Sequence, residues 1–212
     1  MPATLREMLS IGRHALSLGR SAEVLQLVLA QPRKAAQLID CLWDENPGIA
    51  NRAADVAEKL FHERPRLFQN RRENLIGLLT EATTIKVRWR LATILPRLEL
   101  SSAEQKRIAG CLQSWLDEPG SIVKTCALDG LATLASRNAA FLPLALDLLR
   151  IHSRSGTPAM RARGRILLKK LERGNSLRST KTFMPEAELV TRSTSRHLSR
   201  KKFQIGNCSE RE

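Results

Sequence analysis

Apolar residues along the chain recur at the spacing of one face of an α-helix, and the pattern itself repeats at a longer period. Four segments, which begin at Ile49, Val87, Val123 and Met160, are offset by 38, 36 and 37 residues. Each has an apolar residue or glycine at i, i+4, i+7, i+8 and i+11, which predicts an amphipathic helix. After the first position, these residues are Ala53, Val56, Ala57 and Leu60; Leu91, Ile94, Leu95 and Leu98; Ala127, Gly130, Leu131 and Leu134; and Gly164, Leu167, Leu168 and Leu171.

A second apolar helical run precedes each of these segments, and turn residues such as Asn46-Pro47-Gly48 and Pro119-Gly120-Ser121 separate the two. The unit is therefore a helical hairpin, and such hairpins bury their apolar faces only by stacking on one another. We expect an all-α fold, a right-handed α-solenoid of about four hairpins. The predicted organisation is N-terminal capping helices over 1–31, repeats over 32–63, 64–99, 100–136 and 137–174, and a disordered, basic, Ser/Thr-rich tail over 175–212.

Specific residues in the hairpins resemble those of the HEAT-repeat family of armadillo-like α-solenoids. Asp117-Glu118-Pro119, followed by Val123-Lys124 and Ala127, matches the family's acidic turn, its Val-Lys or Val-Arg pair and its small apolar position. Val87-Arg88 matches the same pair, whereas Met160-Arg161 follows a turn without Asp and departs from the pattern. Most members of this family are scaffolds, so the resemblance implies a non-catalytic protein that binds a protein partner on a concave surface.

The charge of the chain suggests a second class of partner. Lys and Arg number 35 against 21 Asp and Glu, a net charge of +14, and the segment from Arg150 to Arg173 has eight basic residues and one acidic residue. The alternative function is therefore binding of nucleic acid or another polyanion through the fourth repeat and the tail. The candidate binding residues for either partner are Trp89, Arg90, Arg161, Arg163, Arg165, Lys169 and Lys170. A terminal repeat also needs a polar outer face, which is the competing interpretation of the fourth repeat.

Basic residues also align between repeats. In HEAT-like hairpins the first basic position bonds back to the acidic turn. The resemblance therefore implies this role for the column of Arg88, Lys124 and Arg161, through pairs such as Asp117–Lys124 and Glu81–Arg88. The column of Arg52, Arg90 and Arg163 is explained less readily by packing and is the better binding candidate. On α-helical spacing, Arg161, Arg165 and Lys169 would form one ridge.

The sequence contains no enzyme or cofactor motif, and it predicts neither catalytic nor metal-ligating residues. The cysteines are unclustered and are interpreted as small buried residues of a reducing compartment. Since the chain also lacks a signal peptide and a spanning segment, we expect a cytoplasmic protein; its oligomeric state is left open.

A DNA-glycosylase-like activity is a third hypothesis, because some DNA glycosylases are helical-repeat proteins that use Trp beside cations. Trp43 and Trp115 are expected to close apolar faces, and Trp89 to be exposed or to stack on a flanking Arg.

Overall fold

The structure, a computed structural model, describes residues 3–82 and 84–182. This part of the chain is all-helical and contains no β-strand. Its α-helices are α1 (Leu5–Ser10), α2 (Ser21–Ala30), α3 (Ala35–Asp40), α4 (Pro47–Glu63), α5 (Arg66–Gln69), α6 (Arg72–Glu81), α7 (Ile85–Ile94), α8 (Ser102–Ser114), α9 (Ser121–Arg137), α10 (Leu142–Ser155) and α11 (Pro158–Thr182). Short 3₁₀ turns lie at Pro32–Lys34, Cys41–Trp43, Leu95–Arg97 and Ala139–Phe141. Among the described residues, no helix is long and apolar enough to cross a membrane.

The four helices that the repeat predicts are present as α4, α7, α9 and α11, and each begins two residues before the first position of its pattern. Local capping explains three of these starts. The Asn46 side chain accepts a hydrogen bond from the Gly48 amide at 2.9 Å, and Thr84 and Thr157 accept from the third residues of α7 and α11 at 3.3 Å. These bonds satisfy amides that have no partner inside the helix. We call α4, α7, α9 and α11 the second helices.

The second helices supply nearly half of the buried apolar residues of the core. Every residue of the five repeated positions is buried, except Leu168, which is half-buried. Helix α4 packs on α7 and α7 packs on α9, while α9 also packs on α8 and α10. At the α7–α9 contact, a Cβ added to Gly130 would lie 2.9 Å from the Ala92 carbonyl oxygen, so the absence of a side chain permits this close approach.

The N-terminal segment packs on α4, and one buried side chain of α4 holds its loop. Helix α1 begins with a capping box between Thr4 and Glu7, and α2 begins after Gly19, whose φ of 49° lies in the left-handed region that favours glycine. Between them, the guanidinium of Arg52 donates to four carbonyl oxygens, those of Leu9, Ser10, His14 and Ser17. Arg52 therefore holds the 11–20 loop on α4, and its burial lowers the pKa of its guanidinium.

The chain divides into two compact units, Met1–Leu171 and Glu172–Glu212. The described part of the second unit, residues 172–182, is helical. The helix thus extends eight residues past the boundary expected at 174. The remainder of the predicted tail, residues 183–212, lies outside the described residues.

Candidate functional site

Between the core positions, each second helix has a further face with a spacing of three and four residues. We call it the second-helix stripe, and each of these helices contributes at least one charged residue to it. Its members are Arg52, Asp55 and Lys59 on α4; Arg90, Thr93 and Arg97 on α7 and the 3₁₀ turn that follows; Cys126, Asp129 and Thr133 on α9; and Arg163, Ile166 and Lys170 on α11. Because α4, α7 and α9 pack in order, the stripe crosses from repeat to repeat.

Arg90, a predicted binding residue, is engaged within the protein. Its guanidinium lies 3.0 Å from the Asp55 carboxylate and also pairs with Glu58, both on the preceding second helix. Lys86 binds the other oxygen of Asp55 at 2.8 Å. The carbon of the Arg90 guanidinium lies 4.3 Å from the centre of the Trp89 ring, which confirms the predicted cation–π contact. The charge of Arg90 is therefore neutralised, and one face of Trp89 is occupied.

Arg163 forms a similar pair two repeats further along the chain. It contacts Asp129 of the preceding second helix at 2.8 Å, and Arg97 approaches the same carboxylate at 3.7 Å. Asp55 and Asp129 occupy the same place in their repeats, three residues after the basic column. At the α7–α9 step, the corresponding residues are Thr93 and Cys126, so both the acidic and the basic partner are replaced together. Arg90 and Arg163 of the basic column thus serve mainly to join successive second helices.

Cys126 carries no evident chemistry at this position. Burial raises the pKa of its thiol to about 11, and the nearby Asp129 carboxylate acts in the same direction. A thiol with this pKa is protonated at neutral pH and is a poor nucleophile. Within the described part of the chain, no three His, Cys, Asp or Glu side chains come together in a way that could hold a metal ion.

The five predicted binding residues on α11 lie on different sides of the helix and do not form one patch. Arg161 turns back and donates to the Gly156 carbonyl at 2.9 Å, so the ridge expected from Arg161, Arg165 and Lys169 loses its first member. Arg165 and Lys169 are exposed. Arg163 and Lys170 line a different edge of α11, at a cavity of about 240 Å³ that they share with Arg97 and Asp129.

Arg97 was not among the sequence candidates, yet it lines two cavities. The second has a volume of about 660 Å³ and is also lined by Arg66, Arg137 and Glu99. A signal for Arg97 exists in the repeat alignment, since Lys59, Arg97, Thr133 and Lys170 occupy one column and three of the four are basic. We call the two cavities, which meet at Arg97, the Arg97 groove.

The column of Arg88 and Arg161 has a structural role, but its partners differ from those expected. Arg88 donates to the Ala82 carbonyl at 2.8 Å, which matches the bond from Arg161 to its own turn. It also pairs with Glu118 of the next repeat at 2.7 Å. Among the described residues, the expected pairs Asp117–Lys124 and Glu81–Arg88 do not form.

One of the tryptophans, Trp43, is more exposed than the sequence predicts. Trp115 is buried, as predicted, at 5% exposure, but Trp43 is 43% exposed and closes its apolar face only in part. Trp43 lies in the 3₁₀ turn Cys41–Trp43, not in the regular helix α3 that ends at Asp40. The change of helix geometry moves the side chain away from the register that the pattern predicted.

No protein-family model, no curated protein and no solved structure matches the chain. The candidate site therefore rests on the geometry of the second-helix stripe and of the Arg97 groove.

Proposed function

We propose that this chain is a non-catalytic, HEAT-like α-solenoid scaffold that binds another protein through the second-helix stripe, on what would be its concave surface. One observation carries the proposal: ion pairs between second helices hold four side chains of the stripe, those of Asp55, Arg90, Asp129 and Arg163, before any partner arrives. A preordered surface loses little side-chain freedom on binding, which favours affinity. The resemblance of the hairpins to HEAT repeats supports the same function.

The charge arrangement favours a protein over a nucleic acid as the partner of the stripe. Arg90 and Arg163 already pair with carboxylates, and Asp55 and Asp129 would repel phosphates that approached these positions. Trp89 stacks on Arg90, which limits its use as a platform for a base. A protein partner can instead leave these ion pairs intact and cover the exposed Ile166.

A matched pair of isoleucines provides the test. Ile166 on the stripe is 59% exposed, and Ile151 on α10, a first helix of its hairpin, is 55% exposed. The full chain and its Ile166→Asp and Ile151→Asp variants are immobilised, and proteins captured from a nuclease-treated lysate of the native cells are identified by mass spectrometry. We expect a defined set that Ile151→Asp retains and Ile166→Asp loses. Equal capture by both variants would exclude the stripe, and no specific capture by the unmodified chain would overturn the scaffold function.

The exposed Arg165 and Lys169 favour a second candidate, binding of a polyanion on the outer side of α11. Fluorescence anisotropy with labelled duplex DNA and RNA at about 50 and about 200 mM salt tests it, since phosphate contacts make affinity fall with salt. Arg165→Glu with Lys169→Glu should abolish binding. Lys106→Glu with Arg107→Glu, an exposed pair on α8, changes the net charge equally and should retain it. Equal losses in both variants, or no binding at low salt, would rule this candidate out.

A further inference from the structure

The Arg97 groove combines two cavities of different size in the Met1–Leu171 unit. The larger, of about 660 Å³, lies beside the turns that follow α4 and α7, and the smaller, of about 240 Å³, lies between α9 and α11. Arg97 is common to both linings, so the two cavities lie next to each other at this side chain. This arrangement suits an extended ligand with several separate groups better than a single compact molecule.

The groove has an excess of positive charge. Its linings contain five basic side chains, Arg66, Arg97, Arg137, Arg163 and Lys170, and two acidic ones, Glu99 and Asp129. Asp129 is shared by Arg163 and Arg97, at 2.8 and 3.7 Å. Arg66 and Lys170, one in each cavity, are exposed. Anionic groups of a ligand would therefore meet cations in both cavities.

The positions of Arg97 and Arg137 are fixed by hydrogen bonds to the main chain. Arg137 donates to the carbonyl of Arg97, and Arg97 donates to the carbonyl of Thr93. The wall of the larger cavity is held in the same way, because the Gln69 amide donates to the Glu99 carbonyl at 2.7 Å and accepts from the Glu99 amide at 3.0 Å. Two of the five cations, Arg97 and Arg137, are thus held in place before an anion binds, which reduces the entropy lost on binding.

The remaining lining decides between kinds of anionic ligand. Neither cavity is lined by an aromatic side chain, so nucleobases would find nothing on which to stack. Apolar side chains lie among the cations, Pro65 and Leu98 in the larger cavity and Ile166 and Leu167 in the smaller. Cationic and aliphatic contacts in both cavities complement a peptide that carries acidic and aliphatic residues, and the discrete carboxylates of a peptide can avoid Glu99 and Asp129 more easily than a continuous phosphate backbone can.

We infer that the Arg97 groove binds an acidic, aliphatic peptide segment of a protein partner. The inference rests on the proposed scaffold function and specifies the chemistry of the partner. In the bound state, peptide carboxylates accept hydrogen bonds from Arg66 in one cavity and Lys170 in the other, and an aliphatic side chain covers Ile166. Arg97 lies between them and contacts the peptide at its centre.

The test uses the full chain and a fluorescein-labelled ten-residue peptide of alternating Glu and Leu, with a Gln–Leu peptide as the neutral control. The groove variant is Arg66→Gln with Lys170→Gln, since neither side chain has a structural bond to lose among the described residues. The matched control is Lys106→Gln with Arg107→Gln, which removes the same charge from α8. Circular dichroism checks that all variants keep their helicity. We expect the groove variant to weaken binding of the acidic peptide by about fivefold or more and the control variant by less than about twofold.

Three results would overturn the inference. Equal weakening by both variants would show that the peptide responds only to net charge, and absence of binding to the unmodified chain would show that the groove does not take such a peptide. Tighter binding of a labelled oligothymidylate that the groove variant abolishes would assign the groove to nucleic acid. Capture of partners that depends on Ile166 is a separate measurement, so the scaffold proposal would survive the loss of the peptide, and the loss of capture would be recognised independently.

Discussion

Replacement of Asp55 by Ala tests whether ion pairs between second helices hold the repeats together. The Asp55 side chain is only 6% exposed and neutralises both Lys86, at 2.8 Å, and Arg90, at 3.0 Å. Its removal leaves two largely buried cations with one carboxylate fewer. Glu58 still pairs with Arg90, whereas Lys86 loses the one acidic partner it has among the described residues.

The size of the effect follows from this burial. Breaking a buried pair by removing one partner costs about 3–5 kcal/mol, because the remaining charge stays desolvated. Since Glu58 remains and the two cations are not completely enclosed, we expect Asp55→Ala to lower the free energy of unfolding by about 2–4 kcal/mol.

Asp129→Ala is the matched control, because Asp129 occupies the same place in the third repeat and pairs with Arg163 in the same way. Its side chain is 23% exposed and that of Arg163 is 45% exposed, so water screens the interaction. We expect a loss of about 0.2–1 kcal/mol, the range of exposed pairs. Both replacements place Ala in the interior of a helix, so the gain in helix propensity is similar and cancels in the comparison.

Urea denaturation followed by far-ultraviolet circular dichroism measures both variants against the unmodified chain. The expected order is a large decrease in the unfolding midpoint for Asp55→Ala and a small one for Asp129→Ala. If Asp55→Ala is no more destabilising than Asp129→Ala, the buried pairs contribute no more than surface pairs do. The argument that they fix the second-helix stripe would then fail.

Three further predictions test packing and titration. Gly130→Ala should destabilise the chain by about 1–3 kcal/mol in thermal denaturation, since its Cβ would lie 2.9 Å from the Ala92 oxygen and from Leu112. Gly110→Ala, whose Cβ has open space, should instead stabilise the chain. The reverse order of the two variants would contradict the α7–α9 contact. The hydrogen bond from the Ser101 amide lowers the pKa of Glu104, so its stabilisation is present above the ordinary carboxyl pKa and is lost as pH falls through the lowered value. Glu104→Gln should therefore reduce the decrease in melting temperature on acidification; an unchanged profile would dismiss that contribution. Because burial raises the thiol pKa values of Cys41 and Cys126 to about 11, iodoacetamide near neutral pH should modify both much more slowly in the native chain than after unfolding, and equal rates in the two states would disagree.

The two partners of each ion pair in the second-helix stripe are kept or replaced together from one repeat to the next. Where the Arg–Asp pair occurs, at Arg90–Asp55 and Arg163–Asp129, both charges are present, and where it is absent both are replaced, by Cys126 and Thr93. Losing only one partner would leave an unpaired charge close to the core, which is the more costly state. The column of Arg52, Arg90 and Arg163, which the sequence favours as a binding site, therefore serves largely to form contacts within the protein.

Much of the fold could be predicted from the sequence because the signals are local. The spacing of apolar residues places α4, α7, α9 and α11, and residues such as Asn46 and Thr84 end the preceding turns by capping. The break near Gly19 is also readable, since a left-handed turn favours glycine. Each of these features depends on residues within one or two helical turns of each other, which is the range over which a sequence pattern carries information.

The candidate site depended on the tertiary structure because its contacts join residues from different repeats. The pairs of Arg90 with Asp55 and of Arg163 with Asp129 span 35 and 34 residues, and the side chain that each Arg reaches is set by the rotation of one helix against the next. The same rotation places Arg97 at the meeting point of two cavities. The sequence by itself determined where the second helices begin and which of their faces are buried. Only the packing of the helices decided which charges are neutralised and which remain available to a partner, since Coulomb energies depend on distances in space and on burial.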